Sequence, residues 1–359
     1  MQVPPKKSFV VQKVAFLVFL VILGLGLCEY VVRQFKLAPE IFSQVSHLRF
    51  VDNIKMVYEY LPGTVVDGCV LNKQGFKDSD FVLEKAKDVV RIAMLGDSVV
   101  EGVFAPCKRS FSDQLEVLLN RKAVEIQPRL RYEVMNFGVG GYNLGAELEV
   151  LKEKVLPYKP DIVVLNLTHD DNAPFPGGNR FFVENNYNLT EQQQIDLVRK
   201  YVENRNSFAR WFEKKILLKS KLYLFLVTRM GPLPKDKAVL SRERSSEGDL
   251  SDMQCVSRGF LEIQKLEKRH GFKFLICIHP GLLFFESENN LKFASLAKSF
   301  QFDYFHMIDY YRKSGASPES LQLKDHPNDT NHPNEFGHAL IADAMFVELK
   351  KHGMIDSRL

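Results

Sequence analysis

"RIAMLGDSVVEG", residues 91–102, begins as a buried strand and ends in Gly96-Asp97-Ser98 and a second apolar run. Four apolar residues in succession, Ile92 to Leu95, suit a strand covered on both faces. The small and polar residues after them suit a turn into a helix, where Asp and Ser act as N-caps. A hydroxyl at that turn also stands at the carboxyl end of a strand, the edge at which open α/β sheets bind ligands. A plain cap and a presented nucleophile therefore both fit. The Gly-x-Ser-x-Gly elbow of another hydrolase fold occurs nowhere in the 359 residues.

Outward from this stretch, strand-like and helical segments alternate. Apolar runs occupy 89–95, 131–139, 161–168, 272–278 and 302–309, and helical periodicity fills 111–119, 144–155, 257–270 and 334–351. This alternation predicts an α/β domain, three layers deep (α/β/α), around a mainly parallel sheet. It also sets Gly96-Asp97-Ser98, "NFGVGGYN" (136–143) and "LNLTHDDN" (165–172) along one rim of that sheet. Two regions depart from the pattern: 37–88 reads as a lead-in with short strands, and 173–255 as an insertion in a domain spanning 89–359. Within the insertion, "ILLKSKLYLFLVTRM" (216–230) reads as a packing helix and "PKDKAVLSRERSSEGDLSD" (234–252) as a solvated loop.

The first 36 residues form a separate element. Lys6, Lys7 and Lys13 precede "VAFLVFLVILGLGLC", 14–28, which carries no charge. The run reads as an uncleaved signal anchor, amino terminus cytoplasmic and the remainder extracytoplasmic. Five of the 48 basic and one of the 44 acidic residues lie within 1–36, so the net charge of +4 resides there and the rest is neutral. A neutral domain gives no electrostatic case for nucleic acid as a partner. Five cysteines are too few for a disulfide framework in a chain of this length. Cys277, inside an apolar run, reads as a buried thiol; Cys69, Cys107 and Cys255 sit in turn-like settings and allow one bridge, the pair left open.

A serine hydroxyl is a poor nucleophile without a base beside it. "NDTNHPNEFGHALIADAMFVELKKHG" (328–353) offers Asp329 and His332 three residues apart, a carboxylate able to orient an imidazole. The glycines of "NFGVGGYN" let backbone N–H groups approach a ligand closely. Preorganised donors of that kind are worth about 3–4 kcal/mol each to a developing oxyanion.

Taken jointly, "LGDSVVEG", "NFGVGGYN", "VVLNLTHDDN" and "DTNHPNEFGH", in that order, resemble the four blocks of the SGNH (GDSL-like) hydrolase family. The lead-in "LNKQGFKD" and the helix end "CEYVVR" are similar to its membrane-anchored bacterial branch. The resemblance implies Ser98 as nucleophile, His332 as base and Asp329 as its orienting partner, with no cofactor and no metal. It implies an oxyanion hole of the Ser98 and Gly141 backbone N–H groups plus a side-chain amide from the third block. The activity implied is that of a serine esterase or acyl-transfer enzyme, acting on O-acyl groups of a polysaccharide or lipid, tethered to a membrane by its first helix. The third block departs from the family pattern, since Asp170 stands where the amide is expected, followed by Asp171 and Asn172. An ionised carboxylate donates no hydrogen bond. Asn172 reaching in, His169 donating, or a protonated carboxylate at Asp170 would each restore the third donor. The departure also admits a catalytically weak carbohydrate-binding or assembly protein on the same fold. A metal-dependent hydrolase using Asp97, Asp170, Asp171 and His332 is a third reading.

Overall fold

The computed structural model describes residues 6–35, 37, 38, 40, 41, 48–51, 53, 55, 56, 58–169, 171, 172, 183, 184, 220–230, 237–280, 287–326, 329 and 331–359. Five strands form one sheet: β1 (Val89–Leu95), β2 (Arg131–Asn136), β3 (Ile162–Leu167), β4 (Lys273–Ile278) and β5 (Asp303–His306). Their order is β5-β4-β3-β1-β2, and every pairing is parallel. Chain direction across the sheet reverses between β1 and β3, so the residues that follow β1 stand at the switch point of an α/β sheet. Ser98 is three residues beyond the end of β1.

The helices are α1 (Lys6–Gln34), α2 (Ser98–Glu101), α3 (Phe111–Ile126), α4 (Leu144–Val150), α5 (Lys221–Met230), α6 (Lys237–His270), α7 (Glu288–Ser299), α8 (Met307–Lys313), α9 (Pro318–Leu321) and α10 (Glu335–Lys351). One face of the sheet, with Ile92, Met94, Val134, Ile162 and Val164, is sealed by Phe111, Leu115 and Leu119 of α3 and Ile341, Met345 and Leu349 of α10. Strand alternation turns Phe274 to the other face, where its ring meets Phe302 at 4.8 Å and Phe302 meets Phe260 of α6 at 5.5 Å. Both faces are therefore covered, and β3, apolar except for Asn166, is buried at every position.

The chain divides into two compact units. One, Ser46–Gly178 with Ala238–Leu359, contains the sheet; the other joins Met1–Val45 to Asn179–Lys237. Inside the first, two antiparallel hairpins of the lead-in pair Leu48–Phe50 with Tyr58–Tyr60 and Val65–Val66 with Cys69–Val70. Arg91, buried in β1, ties the lead-in to the sheet by donating to the carbonyls of Val82, Leu83 and Glu84 while it pairs with Glu133. Cys69 is bonded to Cys107, which resolves the open pairing; Cys255 is free and exposed, and Cys277 is free and buried. In the second unit, Glu29 of α1 caps α5, accepting from the Lys221 and Leu222 N–H groups at 2.9 and 2.8 Å. Val11–Gln34 of α1, mean hydropathy 2.5, is long and apolar enough to cross a membrane.

Several boundaries differ from the sequence reading. The polar stretch read as a solvated loop is helical from Lys237, as the first part of α6. Extending a helix already nucleated by the amphipathic part after residue 253 costs far less than starting one. The run 302–309 changes to helix at Met307, and the helix at 144–155 widens into a π turn over Leu151–Val155. Helix α7 went unrecognised in the sequence; Ser287 caps it by accepting from the Asn290 N–H.

Candidate active site

Gly96 follows β1 with φ +159°, and a Cβ there would lie 2.3 Å from Cγ2 of Val100, so only glycine fits the turn. Asp97 then caps α2, its Oδ1 accepting from the Val99 N–H at 2.9 Å and its Oδ2 from the Thr168 hydroxyl at 3.0 Å. With the cap supplied by Asp97, Ser98 is left as the first helical residue with its side chain unused by the turn. The cap and the presented hydroxyl are thus neighbouring residues rather than alternatives.

That hydroxyl meets the carboxyl-terminal block. Ser98 Oγ lies 2.7 Å from His332 Nε2, and His332 Nδ1 lies 2.6 Å from Asp329 Oδ2. The second carboxylate oxygen, Oδ1, accepts from the backbone N–H groups of Asn331 and His332 at 2.9 and 3.0 Å, which closes the turn that brings the two side chains together. Burial acts to raise the Asp329 carboxyl, but the hydrogen bond and charge of His332 and the two backbone N–H groups outweigh it and hold it below the usual range. An ionised Asp329 only accepts, so Nδ1 carries the proton and Nε2 is left to accept from Ser98. The side chains of His332 and Asp329 keep 17% and 18% of their surface exposed, enough for a ligand to reach the histidine.

The Gly-rich loop after β2 lies against α2. A Cβ on Gly138 would come within 2.1 Å of the Glu101 nitrogen, so glycine is required for this approach. Gly140 donates its N–H to Glu101 Oε2 at 2.6 Å. Burial pushes the Glu101 carboxyl up to about 7 against the opposing hydrogen bond from Tyr60. Among the described residues, the backbone N–H groups of Ser98 and Gly141 have no hydrogen-bond partner.

The third block runs on from β3. Asp171 is buried, and its Oδ2 accepts from the N–H of Thr168 at the end of β3. Asn172 accepts through Oδ1 from Asn289 Nδ2 at 3.3 Å, and neither residue is hydrogen-bonded to Ser98 or His332. Asp170 lies outside the described residues. Asp97, Asp171 and His332 are each engaged as described, and no cluster of three potential metal ligands occurs among the described residues.

Beside the histidine opens a cleft of about 680 Å³ lined in part by Phe104, Asp325, His326, Glu335 and Phe336. The Phe104 ring stacks on His326 at 3.9 Å and stands edge-on to His332 at 6.1 Å. Its loop is held from within by Lys77, which donates to the carbonyls of Gly102 and Ala105. Sequence reasoning did not find Phe104, Lys77, Tyr60 or Glu101. Only Glu101 left a local sign, a carboxylate one helical turn beyond Ser98 in an apolar run.

The family model of the GDSL-like lipases/acylhydrolases matches residues 92–273. No curated protein sequence matches the chain. Among solved structures, a two-domain esterase active on acetylated mannans, crystallised with mannopentaose, is similar at 13% identity and a TM-score of 0.39. That alignment covers 73% of this chain and 49% of the esterase, so the chain spans about half of that protein's length. A catalytic mutant of an acetylxylan esterase from Geobacillus stearothermophilus gives 13% identity, a TM-score of 0.40 and coverage of 75% and 96%. The esterase EstA from Pseudoalteromonas sp. gives 14%, 0.39, 74% and 99%.

Proposed function

Since the chain belongs to the GDSL-like lipase/acylhydrolase family, we propose that it is a carboxylic ester hydrolase and that Ser98, His332 and Asp329 are its catalytic triad. Ser98 Oγ attacks the ester carbonyl while His332 Nε2 takes its proton, and Asp329 steadies the imidazolium through Nδ1–H. The carbonyl oxygen, now an anion, accepts from the backbone N–H groups of Ser98 and Gly141. The imidazolium returns the proton to the leaving alkoxide, and an acyl group remains on Ser98. Water, or a second hydroxyl, then attacks the acyl carbonyl with His332 again taking the proton; the bond from the carbonyl to Ser98 Oγ breaks, the imidazolium returns the proton to Oγ, and the acid or new ester leaves. Asn172 is the candidate third donor: its oxygen is taken by Asn289, and its amide N–H groups have no partner among the described residues. The observation that carries this reading is the unbroken hydrogen-bond chain from Ser98 through His332 to Asp329.

The ester belongs, in this reading, to an O-acyl group of a polysaccharide or lipid, and the cleft favours the polysaccharide. Phe104 and Phe336 present aromatic surface to the C–H faces of a sugar, and Asp325 and Glu335 offer acceptors to its hydroxyls. A fatty chain would have to desolvate those carboxylates. Helix α1 serves as a membrane anchor with the catalytic unit on the extracytoplasmic side, a setting that suits the Cys69–Cys107 disulfide.

The test is intact-mass analysis of the full-length protein in detergent after treatment with a fluorophosphonate. One adduct is expected, absent from Ser98→Ala and strongly slowed in His332→Ala. A wild-type protein that stays unmodified, or an adduct that persists in Ser98→Ala, overturns the assignment.

A further inference from the structure

The peptide that carries the Gly141 N–H is gripped from a part of the chain that precedes the family match. Tyr58, in the second strand of the first lead-in hairpin, donates its hydroxyl to the Gly140 carbonyl at 2.6 Å. The peptide unit is planar and trans, so the Gly140 C=O and the Gly141 N–H lie in one plane and point in opposite directions. Fixing that carbonyl therefore fixes the direction of the Gly141 N–H. Donation to the carbonyl also polarises the same peptide and makes its N–H a stronger donor.

The preceding peptide is held as firmly. Its N–H, on Gly140, goes to Glu101 Oε2, and the Tyr60 hydroxyl donates to the same oxygen at 2.8 Å. Tyr58 is itself located by Tyr142, whose hydroxyl donates to the Tyr58 carbonyl and whose ring packs edge-on at 5.2 Å. Tyr58, Tyr60, Glu101 and Tyr142 are all buried. Gly141 has φ +76°, a conformation a mobile loop would leave readily, yet both peptides before it are tied to side chains.

We infer that Tyr58 and Glu101 are positioning residues for the oxyanion hole, a clamp that aims and polarises the Gly141 N–H, with Tyr58 contributed from outside the region of the family match. The inference rests on the proposed role of Gly141 as an oxyanion donor. A buried tyrosine that merely satisfies its hydroxyl is the competing account. The two differ in what they do to turnover. Substrate binds before the oxyanion forms, so loss of aim lowers kcat and leaves KM alone, whereas loss of packing lowers stability.

The test compares full-length wild type, Tyr58→Phe, Glu101→Gln and Ser98→Ala in detergent, with p-nitrophenyl acetate as substrate and an arylboronic acid as the probe of a tetrahedral oxygen anion on Ser98. Tyr58→Phe keeps the ring and its packing. It is expected to lose roughly 10–100-fold in kcat, less than deletion of a whole oxyanion donor. KM and melting temperature should stay close to wild type, and boronate affinity should fall by the factor lost in kcat. Glu101→Gln retains an acceptor and is expected to lose less, with the same pattern. An unchanged kcat in Tyr58→Phe overturns the clamp while the triad reading stands. So does a kcat loss accompanied by a lowered melting temperature with boronate affinity unmoved. A wild type with no more activity than Ser98→Ala overturns the triad and the clamp together.

Discussion

Replacing Asp329 by asparagine should do more damage than the loss of one charge suggests, and the reason lies in the turn. Oδ1 of Asp329 is committed to two backbone N–H groups, those of Asn331 and His332. An asparagine that preserves the turn must keep its carbonyl oxygen there, because its NH₂ group would face two donors. The NH₂ then occupies the place of Oδ2, 2.6 Å from His332 Nδ1, and donates to it. The ring proton moves to Nε2, and His332 can no longer accept from Ser98. Wrong-tautomer losses of this kind are about 10⁴ in kcat, or roughly 5–6 kcal/mol of transition-state stabilisation. Stability should change little, since the hydrogen bonds of the turn survive. Steady-state hydrolysis of p-nitrophenyl acetate measures the loss, and ¹⁵N chemical shifts of the His332 ring report the tautomer. An Asp329→Asn enzyme within tenfold of wild type, or one with the proton still on Nδ1, would refute the argument.

Glu116 lies under burial and the repulsion of Asp78, Asp113 and Glu133, which together raise its carboxyl from 4.5 to about 7 despite a hydrogen bond from the Val134 N–H. The native state thus holds this proton more tightly than the unfolded chain, so stability is highest below pH 4.5 and falls as pH rises toward 7. Glu116→Gln should therefore melt higher than wild type at pH 8, by an amount on the order of 1–2 kcal/mol after allowance for partial exposure, and equally at pH 4. A melting difference independent of pH would count against it. The Cys69–Cys107 bridge joins residues 38 apart. Loop closure of that length is worth about 4 kcal/mol, so the Cys69→Ser/Cys107→Ser double variant should melt roughly 10 °C lower by calorimetry. An unchanged melting temperature would deny the bridge that contribution.

The strands of the sheet and the Asp329–His332 pair were legible in the sequence because each is written in a short span. Ile92 to Leu95 and 161–168 declare buried strands by composition, and Asp329 and His332 sit within one turn. Features that depend on residues far apart were not legible. Nothing local to Tyr58 points to Gly140, 82 positions away, and nothing local to Lys77 points to Gly102. The start of α8 was misread for a related reason: Phe305, Met307 and Ile308 are all buried, so the run is apolar in either conformation and shows no period that separates strand from helix. The polar part of α6 was missed because it has no apolar face of its own, and its helical state is inherited from the segment that follows.

Asp171 shows how a residue of the third block can belong to the scaffold. One oxygen of Asp97 caps α2, and the other takes the Thr168 hydroxyl, while Asp171 takes the Thr168 N–H. The ends of β1 and β3, the two strands that flank the switch point, are thereby bound to each other through Thr168. A carboxylate suits that place because it offers acceptors to a backbone N–H and a hydroxyl and has no hydrogen of its own to satisfy. An amide in the same position would have to bury an N–H against the donors of Thr168. The acidic residue at 171 therefore fixes Thr168, whose hydroxyl in turn holds Asp97 and the turn that carries Ser98 against the neighbouring strand.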